Sequence, residues 1–323
     1  MEDQEILRVE NLSVHFSSYE GIVRAVNRIS FSLKRGEILG IVGESGCGKS
    51  TVALSLLRLV ATPPGRIVSG HVLFQGKDLL ILREQELEAY RGDRISMIFQ
   101  DPLTSLNPVL TIGLQVSEVF EYHKRLQQQK IRERVTEILK RVGIPSPEDR
   151  MRDYPHQFSG GMRQRIMIAI AMACEPDLLI ADEPTTALDV TIQAQVLTLM
   201  RRLCTQLGTA VVLITHDLGV VARMCNHVAV MYAGEIVEHA GIHTLFTTPL
   251  HPYTQGLLRC IPRGRAQGRL YFINGKPPRL IEEIEGCNFA ERCPVVGPRC
   301  SQGSPEMLEV SEDHRVRCMR YRS

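Results

Sequence analysis

Tryptophan is absent from this sequence, and aromatic residues supply only 5% of its 323 positions. Surfaces that bind nucleic acid usually combine a basic excess with clustered aromatics; here the formal net charge is only +2 and no such cluster occurs. Long apolar runs are missing too. The best candidate, IMIAIAMACEPDLLIA, is cut by Glu175, Pro176 and Asp177, so it lacks the ~18 unbroken apolar residues of a membrane span. The opening stretch, MEDQEILRVENLSV, has neither the basic start nor the apolar core of a signal peptide. A cytosolic chain is expected, with reduced thiols rather than disulfides. None of the nine cysteines forms a C-x2-C pair, the spacing favoured by zinc knuckles. Internal repeats and low-complexity tracts are also absent.

What is present is well-punctuated α/β sequence, with a length that fits about two domains. Ile6 to Phe16 and Ala25 to Leu33 alternate as strands. GEILGIVG, ending at Gly43, reads as a short buried strand, and a helix follows from Lys49. DLLILREQELEAYR suggests a surface helix, RISMIFQ a strand, and residues 101–155 mostly helix, broken at Pro108 and in IPSPEDR. Within that region Ile131, Val135, Ile138, Leu139 and Val142 share one helix face. A helix beginning near Gly161 leads into the strand DLLIADE; the helix VTIQAQVLTLMRRLCTQLG ends at Gly208. TAVVLITH is a strand, and VAVMYAGEIVEHA a hairpin turning near Gly234. Short apolar strands alternating with helices predict an α/β core with parallel strands. After about residue 258 the chain turns rich in Pro, Gly, Arg and Cys. The expected division is 1–258 and 259–323, with a helical subdomain at about 101–157.

GESGCGKS, Gly43 to Ser50, fits G-x-x-x-x-G-K-[ST] and lies between a buried strand and a helix start, where a phosphate-binding loop must lie. Glycines let successive N–H groups turn toward phosphate oxygens, and the helix N-terminus adds partial positive charge. In this reading Lys49 reaches the β- and γ-phosphates and Ser50 ligates Mg2+. LLIADE is an apolar strand ending in two acids, at the strand end where open α/β sheets bind ligands. Asp182 suits the metal; Glu183 is placed to polarise an attacking water. In FSGGMRQR, Ser159, Gly160 and Gly161 open a helix and offer a second anion site. Two phosphate-binding elements in one chain suggest that they meet across a dimer.

With these motifs in this order, the sequence resembles the nucleotide-binding subunit of an ABC transporter over essentially its whole length. GESGCGKST looks like the family's P-loop, bringing Gly43, Glu44, Ser45, Gly46, Cys47, Gly48, Lys49, Ser50 and Thr51 to the nucleotide. Gln100 in SMIFQDP looks like the Q-loop, a further Mg2+ contact. SGGM looks like the signature, Ala187-Leu188-Asp189 like the D-loop, and His216 like the switch histidine. Phe16 would stack on adenine, with Tyr19 the weaker candidate. Phe158 stands where the family usually has leucine, and Met162 where it usually has glutamine. QDPLTSLNP, SGGMRQR, DEPTTALDVTIQAQ and HPYTQGLL narrow the resemblance to bacterial importers of oligopeptides, dipeptides and nickel. That resemblance implies an ABC-type P-loop NTPase: a mixed-sheet core, an antiparallel β subdomain, a helical subdomain and a small Cys-rich C-terminal extension. It also implies two membrane-spanning permease subunits, a second related ATPase, an extracytoplasmic solute-binding protein acting indirectly, and a place on the cytoplasmic face of the inner membrane.

Cys287, Cys293, Cys300 and Cys318 fall in the last 37 residues, separated by five, six and seventeen positions. A small segment with little apolar content needs a staple, and four thiolates suit zinc or an iron–sulfur cluster. The spacing resembles the extension of peptide-importer ATPases, which implies a [4Fe–4S] cluster; zinc and no metal are the alternatives. Two other functions compete with the importer. One is a soluble ABC-type ATPase with a zinc-bearing nucleic-acid module. The other is a P-loop kinase, in which SGGM and a histidine after the last strand would have no role.

Overall fold

The computed structural model describes residues 4–100, 105–124, 126–186, 188–261, 271–281 and 284–322. Asp101, Pro102, Leu103 and Thr104 of the Q-loop stretch, and Ala187 of the D-loop, lie outside the described residues. The strands are β1 (Glu5–Ser18), β2 (Gly21–Lys34), β3 (Ile38–Val42), β4 (Gly65–Phe74), β5 (Lys77–Asp78), β6 (Ile95–Ile98), β7 (Leu178–Asp182), β8 (Ala210–Thr215), β9 (His227–Tyr232), β10 (Glu235–Gly241), β11 (Leu308–Ser311) and β12 (His314–Val316). The chain forms two compact units, one of Met1–Ile6, Leu33–Glu37 and Ile81–Ile214, the other of Leu7–Ser32, Ile38–Leu80 and Thr215–Ser323.

The second unit holds two sheets' worth of strands. One is a four-stranded sheet in the order β2-β1-β4-β5, with β1 antiparallel to β4 from Leu7↔Phe74 to Phe16↔Gly65. Its alternation buries Leu7, Val9, Leu12 and Val14 from β1. In the other, β3 is buried along its whole length and runs parallel to β9. Strands buried on both faces read as continuous apolar runs, which is why ILGIV shows no alternation. β9 and β10 form the expected hairpin. Ala233 and Gly234 turn it with φ of 46° and 82°, the left-handed pair that two-residue hairpins prefer. β12 and β11, from the C-terminal segment, add antiparallel strands onto β10.

In the first unit β6, β7 and β8 are parallel neighbours, and β7 and β8 are fully buried. The helical region resolves into Ile112–Lys124, Gln128–Arg141 and Pro147–Arg150. The second of these buries Ile131, Val135, Ile138 and Leu139, the face read from the sequence. DLLILREQELEAYR forms only the short helix Glu84–Glu88. The chain turns at Gly92, whose N–H donates to the Ile95 carbonyl, and enters β6.

Candidate functional site

In the second unit the chain leaves β3 at Val42, rounds the loop Gly43 to Gly48, and enters the helix Lys49–Leu56. The loop is held from behind by its neighbours. A Cβ on Gly43 would come within 2.1 Å of the Met231 carbonyl oxygen, and the Gly234 N–H donates to the Cys47 carbonyl at 3.1 Å. Lys49 is buried, and its ammonium donates to the carbonyls of Gly43 (2.9 Å) and Glu44 (3.0 Å). Ser45, Gly46 and Ser50 are exposed, and Thr51 is half-buried. Burial raises the pKa of the Cys47 thiol above its usual value, against the opposing pull of the Lys49 charge. That side chain packs inside the loop as a small neutral group. A backbone cradle open at Gly46, a lysine and a hydroxyl at a helix start together fit a polyphosphate and its magnesium ion.

Phe16 lies near the end of β1, half-buried, opposite Gly65; Tyr19 is fully exposed beyond it. His216 follows β8, is exposed, and precedes Asp217. The Asp217 carboxylate caps the helix Leu218–Met224 by accepting from Gly219 N–H at 2.7 Å.

The first unit carries the acidic strand and the signature. Asp182 ends β7 and is 5% exposed. Glu183 follows with φ 46°, a strained backbone for a non-glycine residue. Its carboxylate accepts from Thr186 Oγ1 (2.8 Å) and Gln100 Nε2 (3.2 Å), and its N–H donates to the Ile214 carbonyl (2.9 Å). Sequence reading placed Gln100 and Glu183 in one site, and the structure brings them into contact. A carboxylate aimed by two donors at a strand end is suited to take a proton from water. Ser159 caps the helix Gly160–Met172, its hydroxyl accepting from Met162 N–H at 3.4 Å. Ser159 and Gly160 are exposed. Phe158, the departure from leucine, is buried, with the Arg150 guanidinium 5.3 Å from its ring centre. Asp189 caps the helix Val190–Leu207, accepting from Ile192 N–H at 2.9 Å.

Residues 26–186 match the family model described as ABC transporter, and residues 237–300 match the oligopeptide/dipeptide transporter C-terminal region. A probable peptide ABC transporter ATP-binding protein of Sinorhizobium fredii is 52% identical over 98% of this chain and 95% of its own. The chain belongs to the ABC transporter ATP-binding proteins. The dipeptide transport ATP-binding protein DppD of Bacillus subtilis is 49% identical over 98% of this chain and 94% of its own. Among solved structures, a dimeric ATP-binding cassette in a post-hydrolysis state with ADP and Pi superposes with a TM-score of 0.66. It is 28% identical and covers 73% of this chain and 98% of that one. The fold is therefore the ABC cassette, an ATP-hydrolysing module whose family uses ATP with Mg2+.

The C-terminal cysteines diverge from the sequence reading. All four are free thiols in the second unit. Burial pushes Cys287 up to about 11, with Cys300, Cys318 and Cys293 adding to the rise, so the four share one neighbourhood. Among the described residues, however, no group of three or more His, Cys, Asp or Glu side chains is arranged to hold a metal ion. The segment is tied instead by backbone turns, such as Cys287 N–H to the Cys300 carbonyl at 2.8 Å, and by packing of Phe289. The expected ligand set, iron–sulfur or zinc, is not assembled in this arrangement.

Sequence reading missed the second unit's buried polar centre. Glu238, wholly buried, accepts from Leu250 N–H (2.7 Å), His251 N–H (2.9 Å) and His314 Nε2 (2.7 Å). His251 caps its own helix, Nδ1 accepting from Tyr253 N–H, and burial drops its pKa to about 3, so it stays neutral. The HPY triplet was the only signal, and it carried no hint of these partners.

Proposed function

We propose that this chain is the ATP-hydrolysing subunit of a bacterial importer of dipeptides or oligopeptides, with nickel or another small solute as the alternative cargo. The observation that carries the proposal is the match of residues 237–300 to the oligopeptide/dipeptide C-terminal region, on a chain about half identical to peptide-transport relatives along almost its whole length. Among the described residues no helix is long and apolar enough to cross a membrane. The chain would act from the cytoplasmic face of the inner membrane, on two permease subunits, with a second related ATPase and, indirectly, a solute-binding protein.

In this proposal the backbone from Gly43 to Thr51 holds the phosphates and Lys49 neutralises them. Ser50, Asp182 and Gln100 supply oxygens to Mg2+, and Phe16 stacks on adenine. Glu183 orients and deprotonates the attacking water, and His216 contacts the γ-phosphate. Ser159, Gly160, Gly161 and Asp189 face the nucleotide held by the partner cassette. Phosphoryl transfer of this kind is mostly positioning and charge neutralisation, which suits a site made chiefly of backbone and fixed side chains. Residues 1–258 would form the nucleotide-binding domain and 259–323 the extension. The helical region at about 101–157 would receive a cytoplasmic loop of a permease, since it joins the Q-loop to the signature.

Reconstitution with the permeases in vesicles tests the whole. Peptide-dependent hydrolysis is expected, with permease crosslinks landing on the helical region. Hydrolysis indifferent to peptide and to permeases would overturn the importer reading; a single ATPase species in the purified complex would overturn the second ATPase. The iron–sulfur reading stands apart from this mechanism. Its support is the spacing of the four cysteines, which resembles that of peptide-importer ATPases, and not their arrangement in the structure; iron, sulfide and zinc analysis after anaerobic purification decides it. Colourless protein with stoichiometric zinc, or with no metal, removes the cluster.

A further inference from the structure

The phosphate loop carries a carboxylate immediately after its first glycine. Glu44 is rooted close to the lysine amine, since its own carbonyl accepts from Lys49 Nζ at 3.0 Å. A negative side chain there works against a loop that must attract polyphosphate. One guanidinium from the C-terminal segment meets both of its oxygens: Arg292 Nη1 donates to Oε2 at 2.8 Å and Nη2 to Oε1 at 3.0 Å. The Arg292 side chain is only 5% exposed and that of Glu44 27%, so the pair is partly shielded from screening by salt.

Arg292 is itself fixed. Its Nε donates to the Asn274 carbonyl (3.0 Å), Nη1 to Tyr232 Oη (3.2 Å) and Nη2 to the Ile273 carbonyl (3.4 Å). The backbone of Glu44 is held as well, its N–H donating to Tyr253 Oη at 2.9 Å. Tyr253 and Tyr232 pack on each other and on Phe289, three residues before Arg292, with ring centres 4.6–5.4 Å apart. A two-pronged match between guanidinium and carboxylate fixes direction as well as charge.

We propose that Arg292 is a positioning residue for nucleotide binding: it neutralises Glu44 and fixes it in place, so that the P-loop meets the phosphates without an opposing carboxylate. The inference rests on the ATPase reading and assigns the C-terminal segment a part in nucleotide affinity. Its signature is a rescue. Removing Arg292 exposes the phosphates to an unpaired carboxylate; removing that carboxylate as well relieves the repulsion.

The test measures KM for MgATP and kcat separately, on full-length variants in the complete transporter. R292Q should raise KM about tenfold, about 1.4 kcal/mol, with kcat changed less than about twofold. R292K should fall between wild type and R292Q. On the E44Q background, whatever its own KM, adding R292Q should change KM by less than about twofold, so the double variant E44Q/R292Q binds better than R292Q alone. A wild-type KM in R292Q overturns the proposal. So does a double variant as weak as R292Q, which would make Arg292 merely an anchor of the segment. If R292Q fails to fold, the double variant decides: folded with the KM of E44Q supports the proposal, unfolded or with a KM well above that of E44Q overturns it. Wild-type protein without MgATP hydrolysis would instead sink the ATPase reading itself.

Discussion

A Cβ placed on Gly48 would come within 2.1 Å of the Ala25 carbonyl oxygen; one placed on Gly160 would find its nearest neighbour, Leu188 Cδ2, at an ordinary 3.6 Å. Gly48 also has φ 102°, a conformation that side-chain-bearing residues rarely adopt. Gly160 sits in regular helix beneath the Ser159 cap. The two glycine-rich turns look alike as sequence, each opening a helix toward an anion. They answer to different constraints. The P-loop glycine is required by this chain's own backbone. Among the described residues nothing around Gly160 requires a small side chain, so any requirement for glycine there would come from what docks on the turn. In the proposed two-cassette sandwich, that is the nucleotide held by the partner. The second unit thus carries a loop whose shape is set by the chain's own contacts, while the first carries a turn that, in the proposed sandwich, would act on a nucleotide outside the chain.

The largest effect should fall on turnover. Glu183→Gln keeps the shape of the side chain and its contacts with Gln100 and Thr186 but loses the proton acceptor. Hydrolysis should fall by about 10²- to 10⁴-fold, the worth of a positioned general base, while ATP binding is kept. Steady-state hydrolysis beside an equilibrium binding titration measures both; unchanged turnover would remove Glu183 from the role of base. Gly48→Ala should do the opposite, weakening binding about 100-fold (about 2.7 kcal/mol), because both the backbone strain and the Ala25 contact must be relieved. A normal binding isotherm for that variant would show the loop to be far more pliable than its contacts imply.

Gly160→Ala puts the comparison to its sharpest test. The folded chain has room for the methyl group, so thermal stability and ATP binding by the single cassette should stay at wild-type values. Hydrolysis by the assembled transporter should drop about tenfold, near 1.4 kcal/mol in the transition state. A drop in stability with normal assembled activity would place the requirement inside this chain after all.

What could be read in the sequence follows the same division between local and remote causes. The P-loop, the acidic strand, the helix face at Ile131, Val135, Ile138 and Leu139 and the hairpin at Gly234 are each specified by contiguous residues. β4 escaped notice because Gly70 interrupts its alternation, and its partner β1 lies roughly fifty to seventy residues earlier. β11 and β12 are strands only because β10 offers an edge. The grip of Arg292 on Glu44 joins residues 248 positions apart, and no local spacing announces it. The four cysteines are the converse: a conspicuous local pattern whose ligand geometry depends on turns that the pattern does not specify. Gln100 and Glu183, 83 positions apart, were brought together only because the family resemblance supplied the order of motifs.

The smallest effect is expected at Met162. It departs from the glutamine usual at this position of the signature, and that substitution removes a polar side chain beside the anion-facing turn. Yet the groups proposed to face the anion are the Ser159 hydroxyl and the backbone N–H groups of the first helical turn, and neither belongs to the side chain at 162. The contact that Met162 makes to the turn is through its backbone, N–H to Ser159 Oγ at 3.4 Å, which any side chain would preserve. The side chain is half-buried, so a glutamine there would keep part of its amide in water and add at most one hydrogen bond. Met162→Gln should therefore raise hydrolysis by the assembled transporter by no more than about threefold, less than about 1 kcal/mol. ATP binding by the single cassette should not change. A gain of tenfold or more would mean that this signature is held in a weakened state by its methionine, and that the two composite sites of the transporter differ in activity because of it.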